Sequence, residues 1–169
     1  MCMKTGLLRS NRLRCRGEIM AGEEKQMEVA VIYDLSGSMK ELGHEDVLKA
    51  YFLGVRHHSS AIHFYGWQEK VFPVTKVKDI QPHGTASLSA LTRFLQETDC
   101  VCVLVSDGLW EKGTADEIHK VSEGHLYTVC IGIAANTPDL KKAAGGRERM
   151  WAMTDFPTLL DYLLNGVGG

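Results

Sequence analysis

The sequence predicts an α/β protein with a Rossmann-like, doubly wound and mostly parallel sheet of about six strands. Helices cover both faces, and one edge strand is antiparallel. Two observations lead to this prediction. The runs 27–33 and 101–105 are apolar on both faces, which is typical of central parallel strands. Segments with helical spacing of apolar residues alternate with such runs, and this alternation favours a doubly wound sheet. A length of 169 residues is enough for one domain with a sizeable core.

The first half of the chain contains one helix and one hairpin after the opening strand, MEVAVIY (27–33). The helix is predicted from apolar residues at a spacing of three and four, namely Val47, Leu48, Tyr51, Phe52 and Val55. The runs 61–67 and 70–75 flank a short polar pair and predict a hairpin. Pro73 places that hairpin at a sheet edge, because proline cannot donate to a strand ladder.

The second half continues the alternation to the end of the chain. Its predicted elements are helix 87–96, strand 101–105, helix 114–121, strand 125–133, a helix between 137 and 146, strand 150–153 and helix 156–164. A capping box from Thr114 to Glu117 is expected to begin the third helix. Thr137 is expected to cap the fourth helix, with Pro138 in its first turn.

The amino-terminal segment differs from the rest in charge. Residues 1–17 contain no acidic side chain and five basic ones, namely Lys4, Arg9, Arg12, Arg14 and Arg16. We interpret residues 1–26 as a basic, disordered extension and 27–167 as the folded domain. A transit peptide and an extension read from a wrong start codon remain alternatives, since such composition is a weak targeting signal.

Composition limits the classes of function. The net charge of −2 gives no general attraction to nucleic acid or anionic membranes, and no run of about 18 apolar residues is available to span a bilayer. An odd number of cysteines, mostly within apolar runs, favours reduced thiols in a cytoplasmic protein; they are Cys2, Cys15, Cys100, Cys102 and Cys130.

Oxygen-bearing side chains follow two of the predicted strands. Asp34, Ser36 and Ser38 come directly after the first strand, and Asp107 follows the strand at 101–105. Thr85 lies between them in a glycine-containing loop before a helix. Ligands of doubly wound sheets bind beyond the carboxyl ends of the strands, so these side chains meet if the two strands are neighbours. Carboxylates and hydroxyls are hard donors, which predicts Mg²⁺ or Mn²⁺.

The three segments DLSGSM, GTASL and VSDG together resemble the von Willebrand factor A (VWA) family and its metal-ion-dependent adhesion site (MIDAS). The resemblance covers about residues 27–165 and is closest to intracellular, single-domain members. It implies direct metal coordination by Ser36 and Ser38, with Thr85 joining in the ligand-bound state. It also implies that Asp34 and Asp107 act through water, and that a partner protein's Asp or Glu completes the coordination shell.

Two residues are predicted to line the partner-binding rim. Trp110 lies three residues after Asp107, and exposed aromatic side chains often anchor partners. Trp110 is equally compatible with folding over its own loop. His83 precedes Thr85 by two residues and is expected either to contact a partner or to be an ordinary loop histidine. Asp34 and Ser38 also suit a helix cap, although capping explains only part of the five-residue set.

The sequence therefore predicts a metal-dependent protein-binding adaptor or scaffold that is not an enzyme. An AAA+ ATPase or a stress-resistance complex is the expected setting, by analogy with intracellular relatives. A metal-dependent hydrolase or phosphotransfer enzyme is the first alternative, but the sequence shows no nucleophile or base beside the site. An RNA-binding module is the second alternative, and it would rest on the basic amino-terminal segment.

Overall fold

A computed structural model gives the structure of the chain and describes residues 27–166. The predicted extension 1–26 and the predicted domain end at 167 lie outside these residues. The strands are β1 (Val29–Asp34), β2 (Ile62–Trp67), β3 (Val71–Pro73), β4 (Val101–Ser106), β5 (Leu126–Cys130) and β6 (Met150–Ala152). The α-helices are α1 (His44–Val55), α2 (Leu88–Glu97), α3 (Thr114–Ser122), α4 (Thr137–Ala144) and α5 (Phe156–Leu164).

The strands form one sheet in the order β3-β2-β1-β4-β5-β6. Every neighbouring pair is parallel except β2 and β3, which form the antiparallel hairpin at the edge. The predicted fold class is confirmed. The first strand lies centrally between β2 and β4, so the strand order reverses there, and the crevice beyond the carboxyl ends of β1 and β4 is the usual ligand position.

Two hydrophobic layers sandwich the sheet. Val31 and Tyr33 face the layer that contains α1 and α5, whereas Ala30 and Ile32 face the layer that contains α2, α3 and α4. Helix α5 packs on the face of Val31 and Tyr33 because its buried residues recur at a spacing of three and four and so form one apolar stripe. These residues are Phe156, Leu159, Leu160 and Leu163. Burial of each such side chain contributes about 1.5–3 kcal/mol. Both faces of β1 are covered, so Asp34 ends a strand with no access to solvent.

Helix starts differ from the sequence prediction in two places. The predicted capping box is wrong, because Gly113 is the N-cap of α3 in a left-handed conformation and no side chain caps that helix. Asn136, not Thr137, caps α4, and its side-chain oxygen accepts from the backbone N–H of Asp139 at 3.3 Å.

The fifth strand is shorter than predicted. It ends at Cys130, because Gly132 has a φ of +87° and turns the chain out of the extended conformation. The chain from Gly132 onward therefore belongs to the loop above the sheet. No helix of residues 27–166 has both the length and the apolar character needed to cross a membrane.

Candidate metal centre

Asp34 is fully buried at the end of β1, and three hydrogen bonds hold its carboxylate. Oδ1 accepts from the backbone N–H of Ser36 at 2.9 Å. Oδ2 accepts from the hydroxyl of Ser106 at 2.6 Å and from the indole N–H of Trp110 at 3.2 Å. Burial raises the pKa of Asp34, and the hydrogen bonds from Ser106, Ser36 and Trp110 counteract that rise only in part.

The hydroxyls of Ser36 and Ser38 point to the same side of the loop after β1. Their Oγ atoms are 3.3 Å apart, and both residues are half-buried. Gly37 lies between them and donates its backbone N–H to the carbonyl of Gly84 at 2.8 Å. A Cβ on residue 37 would lie only 3.2 Å from that carbonyl oxygen, so glycine is what permits this close approach.

The loop that carries Thr85 is joined to the loop after β1. His83 donates its backbone N–H to the carbonyl of Leu35 at 3.0 Å, in addition to the bond between Gly37 and Gly84. Thr85 directly follows Gly84 and is exposed. The structure therefore places the second predicted segment, GTASL, beside the loop that carries the two serines, as a metal site would require.

A residue that the sequence analysis missed braces both loops. The side-chain amide of Gln68, just after β2, donates to the carbonyl of Leu35 at 3.1 Å and to the carbonyl of Gln81 at 2.9 Å. Ser106 was also missed as a functional residue, although it stands inside the quoted VSDG segment. Its signal was its position beside Asp107 at the end of a buried strand; Gln68 gave no comparable signal.

Asp107 is also buried, but only one of its oxygens has a partner. Oδ1 accepts from the backbone N–H of Leu109 at 3.0 Å. Oδ2 is inaccessible to solvent and has no hydrogen-bond donor from the protein. Leaving a buried carboxylate oxygen unpaired costs roughly 1–3 kcal/mol or more. A cation, or water bound to one, would remove that cost.

The donor set fits a hard divalent cation. Asp34 and Ser106 belong to paired strands and are hydrogen-bonded to each other, so Asp34, Asp107 and the two serines all lie at the carboxyl ends of β1 and β4. Within residues 27–166, no group of three or more His, Cys, Asp or Glu side chains is arranged to hold a metal ion. Any metal bound here would therefore depend on hydroxyl oxygens, as Mg²⁺ or Mn²⁺ sites can.

The two predicted rim residues have different surroundings. Trp110 is half-buried, and its ring packs edge-on against Trp67 with the ring centroids 6.4 Å apart. Its N–H points inward to Asp34, so the indole positions that carboxylate, and a direct contact with a partner stays a prediction. His83 is exposed beside Thr85, and its rim role also stays a prediction.

Comparisons with solved structures identify the fold. An aerotolerance-related membrane protein from Bacteroides fragilis NCTC 9343, in a form with multiple mutations to serines, matches 82% of this chain and 98% of its own, with a TM-score of 0.60 and 13% identity. Proximal thread matrix protein 1 from the mussel byssus matches with a TM-score of 0.57 and 13% identity. This chain has a VWA-like fold. Sequence identities as low as these indicate a shared fold and nothing about function.

One structure of the mussel protein also concerns a metal. One of its structures has a zinc-occupied MIDAS motif and matches this chain with a TM-score of 0.56 and 12% identity. This chain spans less than half of the mussel protein, 47% and 45% in these two alignments. No protein-family model matches the chain, and no curated protein matches it.

Proposed function

We propose that this VWA-like chain is a metal-dependent protein-binding adaptor or scaffold with a MIDAS-type site for Mg²⁺ or Mn²⁺. One observation carries the proposal: two buried carboxylates and two paired serine hydroxyls lie at the carboxyl ends of β1 and β4, where the strand order reverses, and one carboxylate oxygen of Asp107 has no partner. The zinc-occupied MIDAS motif of the structurally similar mussel protein supports it.

Each residue has a distinct role in this proposal. Ser36 and Ser38 would coordinate the ion directly, and Thr85 would join them when a partner is bound. Asp34 and Asp107 would act through water, with Asp34 fixed by Ser106 and Trp110. A bound ion supplies an electrophilic coordination position, which a partner's Asp or Glu carboxylate would fill.

Mg²⁺ and Mn²⁺ are preferred over zinc for this chain because the donors are hydroxyls and carboxylates, whereas zinc favours thiolate and imidazole. We propose binding and not catalysis, since Ser36, Ser106 and Trp110 already donate to the buried carboxylate of Asp34, which leaves it poorly placed to act as a general base.

We further propose a cytoplasmic setting, with an AAA+ ATPase or a stress-resistance complex as the partner. Cys100 is a buried free thiol and Cys130 a half-buried one, which suits a reducing compartment. The partner must present an acidic side chain on an accessible segment.

Titration calorimetry with Mn²⁺ tests the metal site. Ser38→Ala removes one proposed ligand and should weaken Mn²⁺ binding by at least tenfold. Ser89→Ala is the matched control, because Ser87 and Ser89 also pair through their hydroxyls, at 3.0 Å, but on an exposed helix start. Equal affinity in the wild type and Ser38→Ala would reject the assigned ligands.

A pull-down in Mg²⁺ or in EDTA tests the adaptor role. Partners that require metal and are lost with Thr85→Ala would support carboxylate capture. The same partners in every lane would show that the ion, if bound, only braces the fold.

A further inference from the structure

Three of the most exposed large aliphatic side chains lie on loops beside the candidate metal centre. Leu42 is 73% exposed, Leu109 is 55% exposed and Ile133 is fully exposed. Single exposed aliphatic residues are ordinary on protein surfaces. These three, however, follow β1, β4 and β5 in turn, at the carboxyl-terminal edge of the sheet where Asp34 and Asp107 also lie.

Contacts between the loops join the three segments that carry these residues. The ring of buried His44 lies against Gly132, in the space that a Cβ of residue 132 would occupy. This contact places the segment that carries Leu42 beside the segment that carries Ile133. The backbone N–H of Asn136 donates to the carbonyl of Asp107 at 2.7 Å, which joins the loop after β5 to the loop that carries Leu109.

The backbone of Leu42 makes its exposure more informative. Its φ of +53° and ψ of +22° are left-handed, a conformation that a branched, non-glycine residue rarely adopts. The surrounding loop therefore exposes the apolar side chain of Leu42 to water and also holds its backbone in an unfavourable conformation. Such strain concentrates at functional sites, where the rest of the structure maintains it.

We infer that Leu42, Leu109 and Ile133 form an aliphatic collar that selects a partner segment whose acidic residue is flanked by aliphatic side chains. This inference rests on the proposed function and names the partner class for the same site. The collar would contact the flanking side chains while the acidic side chain reaches the metal ion.

Charge and desolvation both favour this occupant. Asp34 and Asp107 repel an approaching carboxylate unless a divalent ion lies between them and the partner. An apolar collar excludes water around the carboxylate–metal contact, and electrostatic attraction strengthens as the local dielectric constant falls. A purely aliphatic segment would leave the ion without an anionic ligand, and a purely acidic one would leave the collar in water.

Synthetic peptides test the collar directly. Fluorescent hexapeptides with a central Glu, flanked on both sides by Leu or by Ser, are titrated with the full chain in Mn²⁺ and in EDTA. The Leu-flanked peptide should bind about tenfold or more tightly than the Ser-flanked one, and only in Mn²⁺, given the free energy of burying aliphatic groups. Leu109→Ser and Ile133→Ser should each reduce that preference severalfold while leaving Mn²⁺ affinity unchanged.

Leu53→Ser is the matched control, because Leu53 is 48% exposed but lies within α1, away from the loops. It should retain the full preference for the Leu-flanked peptide. The variants replace exposed side chains, and thermal melts establish that each remains folded before the affinities are compared.

The outcomes separate the two proposals. Glu peptides that bind equally in Mn²⁺ and EDTA, or not at all, would reject the carboxylate-capturing site itself. Metal-dependent binding with no preference for Leu, or a preference that survives in Leu109→Ser and Ile133→Ser, would overturn only the collar. Mn²⁺-dependent dimers seen by light scattering, or Mn²⁺-dependent binding to phosphatidylserine vesicles, would also overturn it if Leu109→Ser abolished them, because the collar would then serve a second copy or a lipid surface.

Discussion

Asp34 ends β1 and Asp107 directly follows the neighbouring strand β4; both are buried, yet their carboxylates have different hydrogen-bond partners. Asp34 accepts three hydrogen bonds, from the backbone of Ser36 and the side chains of Ser106 and Trp110. Asp107 accepts one, from the backbone of Leu109, and its Oδ2 has no donor. The fold thus fixes one carboxylate completely and leaves the other with an open acceptor.

This difference indicates separate roles for the two aspartates, although both belong to the same predicted metal-binding motif. Asp34 belongs to the framework, since three donors depend on it inside the protein. The remaining oxygen of Asp107 has no donor from the protein and, under the proposed function, would accept a hydrogen bond from water on the ion. Substitution of Asp34 should therefore reduce stability more than metal binding, whereas substitution of Asp107 should reduce metal binding more than stability.

The largest effect is expected from Asp34→Ala in the absence of metal. The free energy of unfolding should fall by about 2–4 kcal/mol, because the donors at Ser36, Ser106 and Trp110 lose their shared acceptor. Urea denaturation in EDTA measures this. Asp116→Ala, on the exposed surface of α3, is the control, and a loss below about 1 kcal/mol at Asp34 would contradict the framework role.

Asp107→Asn should have its main effect on metal-dependent stability. In EDTA its free energy of unfolding should fall by less than that of Asp34→Ala, since an amide oxygen can still accept from Leu109. With Mn²⁺ at 100 times its dissociation constant, the wild type should gain about 2.7 kcal/mol. The variant should lose most of that gain. Equal stabilisation of both proteins by Mn²⁺ would show that Asp107 does not contribute to metal binding.

The pH dependence of stability should distinguish the carboxylates further. Burial raises the folded-state pKa of Asp34 above its ordinary value of 3.8, so the folded protein holds this proton more tightly than the unfolded chain. Stability from this group is therefore greatest below pH 3.8 and is lost as the pH rises towards the folded pKa, by at most about 1.4 kcal/mol per unit.

Asp34→Asn removes this titrating carboxyl group, so the free energy of unfolding should depend less on pH in the variant than in the wild type. Unfolding is followed in EDTA from pH 3 to 7 for both proteins, and the difference between them isolates Asp34 from other titrating groups. A wild-type curve that rises relative to the variant over this range would show that the hydrogen bonds outweigh burial.

The smallest effect is expected from Trp110→Phe. This change retains a ring against Trp67 but removes the N–H that donates to Asp34. Stability should fall by about 1 kcal/mol, the typical contribution of one hydrogen bond, or somewhat more because its acceptor carries charge. Mn²⁺ affinity should change by no more than a few fold. A tenfold loss of Mn²⁺ affinity would assign Trp110 a larger part in the metal site.

Much of the fold was predictable because local patterns and burial agree. The strand β4 is a short, valine-rich apolar run, the helix α5 has apolar residues at a spacing of three and four, and Pro73 marked the sheet edge. Helix starts were harder. Thr114 and Asn136 show why: several adjacent residues are able to cap a helix, and the incoming loop decides which one does.

The candidate site was predictable where its residues are adjacent in sequence or follow buried strands. Asp34, Ser36 and Ser38 are such residues. The donors from Ser106 and Trp110 to Asp34 lie 72 and 76 positions away, and no local pattern encodes contacts over such separations. The left-handed backbone of Leu42 was equally hidden, because leucine carries no preference for it.

The bridge between the loop after β1 and the loop before α2 has a kinetic consequence. Backbone hydrogen bonds link Gly37 to Gly84 and His83 to Leu35, and the amide of Gln68 also holds Leu35. Neither loop can open without breaking the contacts of the other. The amide hydrogens of Gly37 and His83 are therefore expected to exchange with solvent in one concerted opening, so that whatever slows exchange at one loop slows it equally at the other.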